Sequence, residues 1–244
     1  GEGEVPDPVE QRPNGIYHPD FDRDVTLEEY LGNLDPSRPT VGLMFTANLW
    51  IYGNLEHIDE TIREIEAQGM NVIPVFFSSV ASRTDGNDGS VAVVREYMTV
   101  DGRSRVDALI LATPFSQLNN SRDCSGVYTP DEQNYFHTLT DVPVFQAMSV
   151  SSHFADYEES AEGLSKGDFG MNVIWPEVDG QIITVPFASN ERGRGGPKVY
   201  TPLHDRIRHL VATVGAWARL RRKPVSERRI AILMYQSRPD SGRI

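Results

Sequence analysis

Apolar and polar positions along this chain fall into alternating blocks of two periods. Residues 41 to 46 within "RPTVGLMFT" form a continuous apolar run, as expected of a strand buried on both faces. After it, Leu55, Ile58, Ile62 and Ile65 recur on one face of a predicted helix, with Asn54 as its N-cap and Gly69 as its stop. "NVIPVFF" at 71 to 77 predicts a second strand, in which Pro74 lacks an N–H and so implies an edge position or a bulge. "VDALILAT" at 106 to 113 and "VPVFQAMS" at 142 to 149 predict a third and a fourth. Between those two, Thr129-Pro130-Asp131-Glu132 joins an N-cap, a first-turn proline and a glutamate that reaches back, predicting a helix from near 130.

A short helix over roughly 154 to 162, ending at Gly163, leads into "MNVIWPEVDGQIITVPF". That stretch predicts strand, turn and strand, at about 171 to 175 and 181 to 187, bent at Pro176 through Gly180. A glycine-rich loop, "NERGRGGPK", precedes a long helix over about 202 to 222, capped by Thr201 and striped with Leu203, Ile207, Leu210, Val214 and Trp217. "RRIAILMYQ" then repeats the pattern of the first strand, a basic entry followed by an apolar run. Strands alternating with helices predict an α/β fold: a mostly parallel, doubly wound sheet of flavodoxin or Rossmann type, helices on both faces, plus the start of a second α/β unit. The expected divisions are an extended N-terminal arm or linker at 1–39, an α/β domain with the "PEVDG" hairpin at 40–200, a long connecting helix at 201–226, and the first strand of a truncated next unit at 227–244.

Composition narrows what such a fold can do. The 244 residues carry a net charge of −12, which argues against a nucleic-acid backbone as partner. The single cysteine, Cys124, excludes an internal disulfide framework and a cysteine zinc site, consistent with a reducing compartment and a cytoplasmic location. No run is long and apolar enough to span a membrane, and the first residues lack the order of a signal peptide. The missing initiator methionine and the ending "SGRI" suggest a piece of a longer protein.

Among candidate chemical groups, no G-x-x-x-x-G-K-[ST] occurs, so the chain has no P-loop with which to hydrolyse ATP. "GRGG" at 193–196 stands between strand and helix, either as an anion-holding loop or as a surface loop. The basic cluster Arg219, Arg221, Arg222, Lys223, Arg228 and Arg229 lies mostly at a helix C-terminus, where cations meet the dipole, and otherwise suits an acidic partner. His153, in "SVSSHF", follows the fourth strand, on the side where open α/β sheets bind ligands; capping is the plainer role. Glu177 is either filler at a bend, since Asp179 and Gly180 are what the turn needs, or a carboxylate held on a stiff scaffold.

Five stretches in order resemble one family, the large subunits of ATP-dependent tetrapyrrole metal chelatases, that is, CobN of cobalt chelatase and the H subunit of magnesium chelatase. They are "NGIYHPDF", "RPTVGLMFTANLWIYGN" with "IDETIREIEAQGMNVIPVFFSS", "PVFQAMSVSS", "EESAEGLSKGDFGMNVIWPEVDGQI", and "WARLRRKPVSERRIAILMYQSRPDSGRI". The spacing of "EESAEGLS" and "MNVIWPEVDGQIIT" resembles the cobalt-type branch. The resemblance implies a tetrapyrrole substrate, a corrin precursor or protoporphyrin IX, and insertion of Co²⁺ or Mg²⁺ into it. It also implies that AAA+ ATPase partner subunits use the ATP. Within it, Glu177 is the candidate that binds the incoming metal or accepts a pyrrole proton, with His153 as assistant. The alternative from another class is a non-catalytic small-molecule-binding α/β module.

Overall fold

A computed structural model describes residues 11–79, 89–117, 135–191 and 199–233. Five strands run parallel at its centre: β2 (Thr40–Thr46), β3 (Asn71–Phe77), β6 (Ala108–Ala112), β7 (Val144–Val150) and β8 (Ile182–Asn190). They lie in the order β3-β2-β6-β7-β8, flanked by the short antiparallel strands β1 (Asn14–Ile16) beside β3 and β9 (Tyr200–Pro202) beside β8. A separate two-stranded ribbon pairs β4 (Thr99–Val100) with β5 (Arg103–Ser104). Taken in chain order, the parallel strands are arranged 2-1-3-4-5, the flavodoxin-like order, in which the direction of winding switches between β2 and β6.

Strand alternation divides the core into two layers. Val41, Leu43, Phe45, Ala108, Ile110 and Phe145 face the helix Glu56–Ala67 and the long final helix, His204–Arg222. Met44, Ile73, Val75, Leu109, Leu111 and Val144 face the opposite layer, which includes the helix Ser90–Val93 with its π turn Val94–Met98, Phe136 of the helix Phe136–Thr140, and Tyr30 of the helix Leu27–Leu31. Helices therefore cover both faces, as the apolar runs require, since strands that are apolar on two sides leave no face suited to water. Gly42 is glycine for a packing reason, because a Cβ there would sit 2.7 Å from both Leu109 Cδ1 and Met98 Sδ.

Pro74 falls where its missing N–H is harmless, because β1 is in register only with Val75 to Phe77 on that flank of β3. The long helix buries Ile207, Leu210 and Val214 as expected, and it begins at His204 with Leu203, not Thr201, at the N-cap position. Trp217 departs from the predicted stripe: it is 43% exposed, and the seam continues instead through Val211, Gly215 and Ala218. Asn54 does not cap the helix Glu56–Ala67; its Oδ1 accepts from the Tyr200 N–H at 3.0 Å, and Leu55 takes the N-cap position.

Two expectations need correction. Residues 14–31, read as part of an extended arm or linker, carry elements of the fold: β1 pairs with β3, and the helix Leu27–Leu31 has a complete capping box between Thr26 and Glu29. The proposed hairpin strand at 171–175 is helical. Lys166–Phe169 passes through a π turn, Gly170–Ile174, into Trp175–Val178, and only then does the chain enter β8. The apolar pattern misled because this helical segment is inverted: it buries Asp168, Asn172, Pro176 and Asp179 while Phe169, Ile174, Trp175 and Val178 are exposed. Of the run proposed as the first strand of a next unit, residues 228–233 carry no strand, with Ile230, Ile232 and Leu233 exposed, and the remainder lies outside the described residues. The proposed helix start at Thr129, the loop at 193–196, Cys124 and residues 234–244 lie outside the described residues.

Candidate functional site

Beyond the carboxyl ends of β2, β6 and β7 the sheet opens into a crevice of about 320 Å³. It straddles the β2/β6 reversal, where crossovers leaving in opposite directions pull the loops apart, the usual ligand position in open α/β sheets. Thr46 and Leu49 line it after β2, and Thr113, Pro114 and Phe115 after β6. Ser149 and Ser151 line it from the end of β7, and Asp168, Met171 and Asn172 from the helical segment above.

That segment is tied down at three places. The Phe115 N–H donates to the Met171 carbonyl at 2.8 Å. Asp168 Oδ2 accepts from Ser151 Oγ at 2.7 Å, Ser165 Oγ at 3.0 Å and the Ser151 N–H at 3.3 Å. Asp179 accepts from Ser116 Oγ at 2.7 Å and from the Gln117 N–H at 2.6 Å, joining the turn after the helix to the loop after β6. Asp168 and Asp179 are buried carboxylates stabilised by hydroxyl and amide donors. The next residue, Gly180, adopts φ +80°, and a Cβ there would lie 2.5 Å from His137 Cε1, so the turn admits only glycine without rearrangement.

Neither sequence candidate lines this crevice. Glu177 is exposed on the helical turn Trp175–Val178, its side chain without a hydrogen bond or ion pair among the described residues, while its backbone carbonyl accepts from Gly180 N–H at 3.0 Å. His153 precedes the helix Phe154–Glu159, and its Nδ1 lies 2.6 Å from Glu191 Oε2. Glu191 also accepts from the Phe154 N–H and Ser189 Oγ; the His153 bond, followed by the Phe154 N–H, holds its carboxyl below the usual range. Among the described residues no group of three or more His, Cys, Asp and Glu is arranged to hold a metal ion. Much of the basic cluster is engaged in holding the fold: Arg221 binds Asp141, Arg222 binds Asp107 and the Ser37 carbonyl, and Arg228 binds the Lys223 carbonyl.

The crevice residues Ser149, Ser151, Asp168 and Asn172 escaped the sequence reading. A signal was present in "SKGD": Ser165 accepts from the Asp168 N–H at 3.0 Å, the serine-to-acid spacing of a helix start.

A 2-1-3-4-5 parallel sheet with a crevice at its reversal defines a flavodoxin-like α/β domain. The CobN/Magnesium Chelatase family model matches residues 1–244, and the chain belongs to that family. It is 30% identical over 214 residues to the aerobic cobaltochelatase subunit CobN of Sinorhizobium sp, covering 84% of this chain and 15% of that protein. It is 27% identical over 255 residues to the H subunit of magnesium chelatase from Rhodobacter capsulatus, covering 96% of this chain and 20% of that protein. The fold is also that of the catalytic subunit of cobaltochelatase from Mycobacterium tuberculosis, at a TM-score of 0.63 and 21% identity over 91% of this chain and 17% of that one. The chain thus spans a fifth or less of the length of these relatives. Among the described residues, no helix is long and apolar enough to cross a membrane.

Proposed function

We propose that this chain is a segment of the large, tetrapyrrole-binding subunit of an ATP-dependent chelatase that inserts Co²⁺ into a corrin precursor during cobalamin synthesis in the cytoplasm. The observation carrying this reading is the family match over all 244 residues. Insertion strips water from the cation, seats it among four ring nitrogens and releases two pyrrole protons. A carboxylate serves both ends of that exchange, as a hard ligand for the cation and as a proton acceptor. Mg²⁺, one of the two candidate ions, gives up its water reluctantly, which is a physical reason to couple the step to ATP hydrolysis. With no P-loop in this sequence, AAA+ partner subunits supply that hydrolysis, and the chain with ATP alone inserts no metal.

Glu177 is the carboxylate we assign to metal delivery or proton acceptance. Its support is its freedom: it is exposed, unpaired among the described residues, and mounted on a turn anchored by Asp179. His153, held by Glu191 beyond β7, is the proposed assistant. The test is Glu177→Gln in the full-length protein, assayed with its ATPase partners. Ring binding should persist while insertion falls at least ~10²-fold, the effect of losing an acid–base group. Insertion at the unaltered rate would leave Glu177 as a solvated turn residue.

The second reading, Mg²⁺ insertion into protoporphyrin IX, is favoured by the magnesium-chelatase relative, whose match extends over 96% of this chain. Supplying each ring with each metal to the assembled complex separates the two. A module that binds a small molecule without catalysis is the reading left if neither ring is metallated, and the switch-point crevice is what favours it.

A further inference from the structure

The helical segment 166–178 carries its large apolar side chains outward. Phe169, Ile174, Trp175 and Val178 are 45–55% exposed, while Asp168, Asn172 and Pro176 are buried. On a regular α-helix Phe169 and Ile174 would stand about 140° apart. The π turn Gly170–Ile174 bonds residues five apart instead, which brings Phe169 and Ile174 round to one side. Val178 continues that side, four residues from Ile174 and three from Trp175. Beneath this face the segment is pinned to the domain by Asp168 to Ser151 and by Asp179 to Ser116, so the apolar groups are held in place. A helix with only water above it turns its polar side outward. Here the order is reversed, and the exposed apolar area, roughly 300–400 Å², is of the size that marks a contact surface on a soluble domain.

We propose that this face is an internal docking surface, covered by another domain of the same large-subunit polypeptide. The inference rests on the proposed function in one respect, that the chain is a segment of such a subunit. It spans 15–20% of the relatives compared above, so the cover is drawn from the much longer remainder of the protein. Composition favours a permanent contact. Interfaces that form and dissolve in water are about as polar as the rest of a protein's exterior, whereas permanent ones resemble a core cut in half. From residue 169 to 178 the only charged residue is Glu177. A covalent link also supplies a high effective concentration, so a small apolar patch suffices. A second copy of the chain fits less well, because the patch falls short of the ~800 Å² per partner of a stable dimer. So does a lipid surface: the chain carries a charge of −12, and Lys166 is the only cation in the segment.

Hydroxyl-radical footprinting of the full-length protein and of the 244-residue chain, read by mass spectrometry at Phe169 and Trp175, tests this. Both side chains should be oxidised at least fivefold more slowly in the full-length protein. Ile174→Lys places a charge in the middle of the face; in the full-length protein it should return Phe169 and Trp175 to the rate seen in the 244-residue chain. In that shorter chain the same substitution, at a half-exposed position, should move Tm by no more than ~2 °C. If the full-length variant does not fold, Ile174→Gln, polar but uncharged, takes its place with the same expected gain in oxidation. Equal oxidation in the two wild-type proteins overturns the proposal, as does undiminished protection in the folded full-length variant. Protection of the 244-residue chain that grows with its own concentration, or that phosphatidylcholine vesicles produce, also overturns it, in favour of a second copy or a lipid surface. Protection of the full-length protein that appears only with its ATPase partners overturns it in favour of a separate partner. The insertion assay on Glu177→Gln reads the chelatase assignment separately, so the two can fail independently.

Discussion

His57→Leu should flatten the acid dependence of stability. His57 lies on the helix Glu56–Ala67 at 0% exposure, its ring edge-on to Phe187 at 5.0 Å, and neither ring nitrogen has a hydrogen-bond partner among the described residues. Burial alone lowers its pKa from 6.5 to about 3, so the folded protein holds the ring neutral. The unfolded chain takes up a proton below pH ~6.5 and the folded chain does not until near pH 3, so this residue costs stability progressively as pH falls across that window. Between pH 7 and pH 5 the linkage relation gives a loss of about 2 kcal/mol from this one group. Leucine is of similar size and has no nitrogen to leave unpaired, so the variant should be at least as stable at pH 7. Urea unfolding of both proteins at pH 7 and pH 5 reads the difference directly. Every other histidine and carboxylate is common to both, and cancels. Parallel pH profiles would show that the His57 imidazole is hydrated or protonated in the folded state, refuting the reasoning.

Leu210→Ala removes a side chain at 0% exposure from the seam between the final helix and the sheet, and should cost ~2–5 kcal/mol in denaturant unfolding; an unchanged midpoint would contradict that packing. Gly180→Ala forces a Cβ toward His137 at φ +80°, and the left-handed backbone alone should cost ~1–2 kcal/mol, measurable as a lowered Tm.

Much of the scaffold is written locally. Continuous apolar runs can only be strands buried on both sides, and β2, β3, β6 and β7 appear within two residues of where those runs stand. The stripe of Ile58, Ile62 and Ile65 likewise needs no partner to declare a helix. Short or inverted elements are different. Three residues of β1 carry no period, and its place beside β3 depends on strand pairing that only the folded sheet provides. In the segment 166–178, the buried positions are polar and the exposed ones apolar, so hydropathy assigned the wrong face and the wrong element. The two buried aspartates depend on partners well separated in the chain: Ser116 stands 63 residues from Asp179, and Ser151 stands 17 from Asp168. Without those hydroxyls each carboxylate would lose a donor inside the protein, a cost that no local pattern announces.

The family resemblance could be read from five ordered stretches because it rests on residue identity, which needs no coordinates. The crevice could not. A ligand position at the β2/β6 reversal depends on strand order, and strand order is settled by which apolar faces pack together across the whole chain, not by any single run. Residue identity and hydropathy period are thus enough for the class of fold, its buried strands and its family. It takes the folded sheet to bring Asp168 and Asn172 to Ser149 and Ser151 at one cavity and to leave Glu177 and His153 outside it, because burial and the pairing of polar groups arise from contacts between residues separated in the chain.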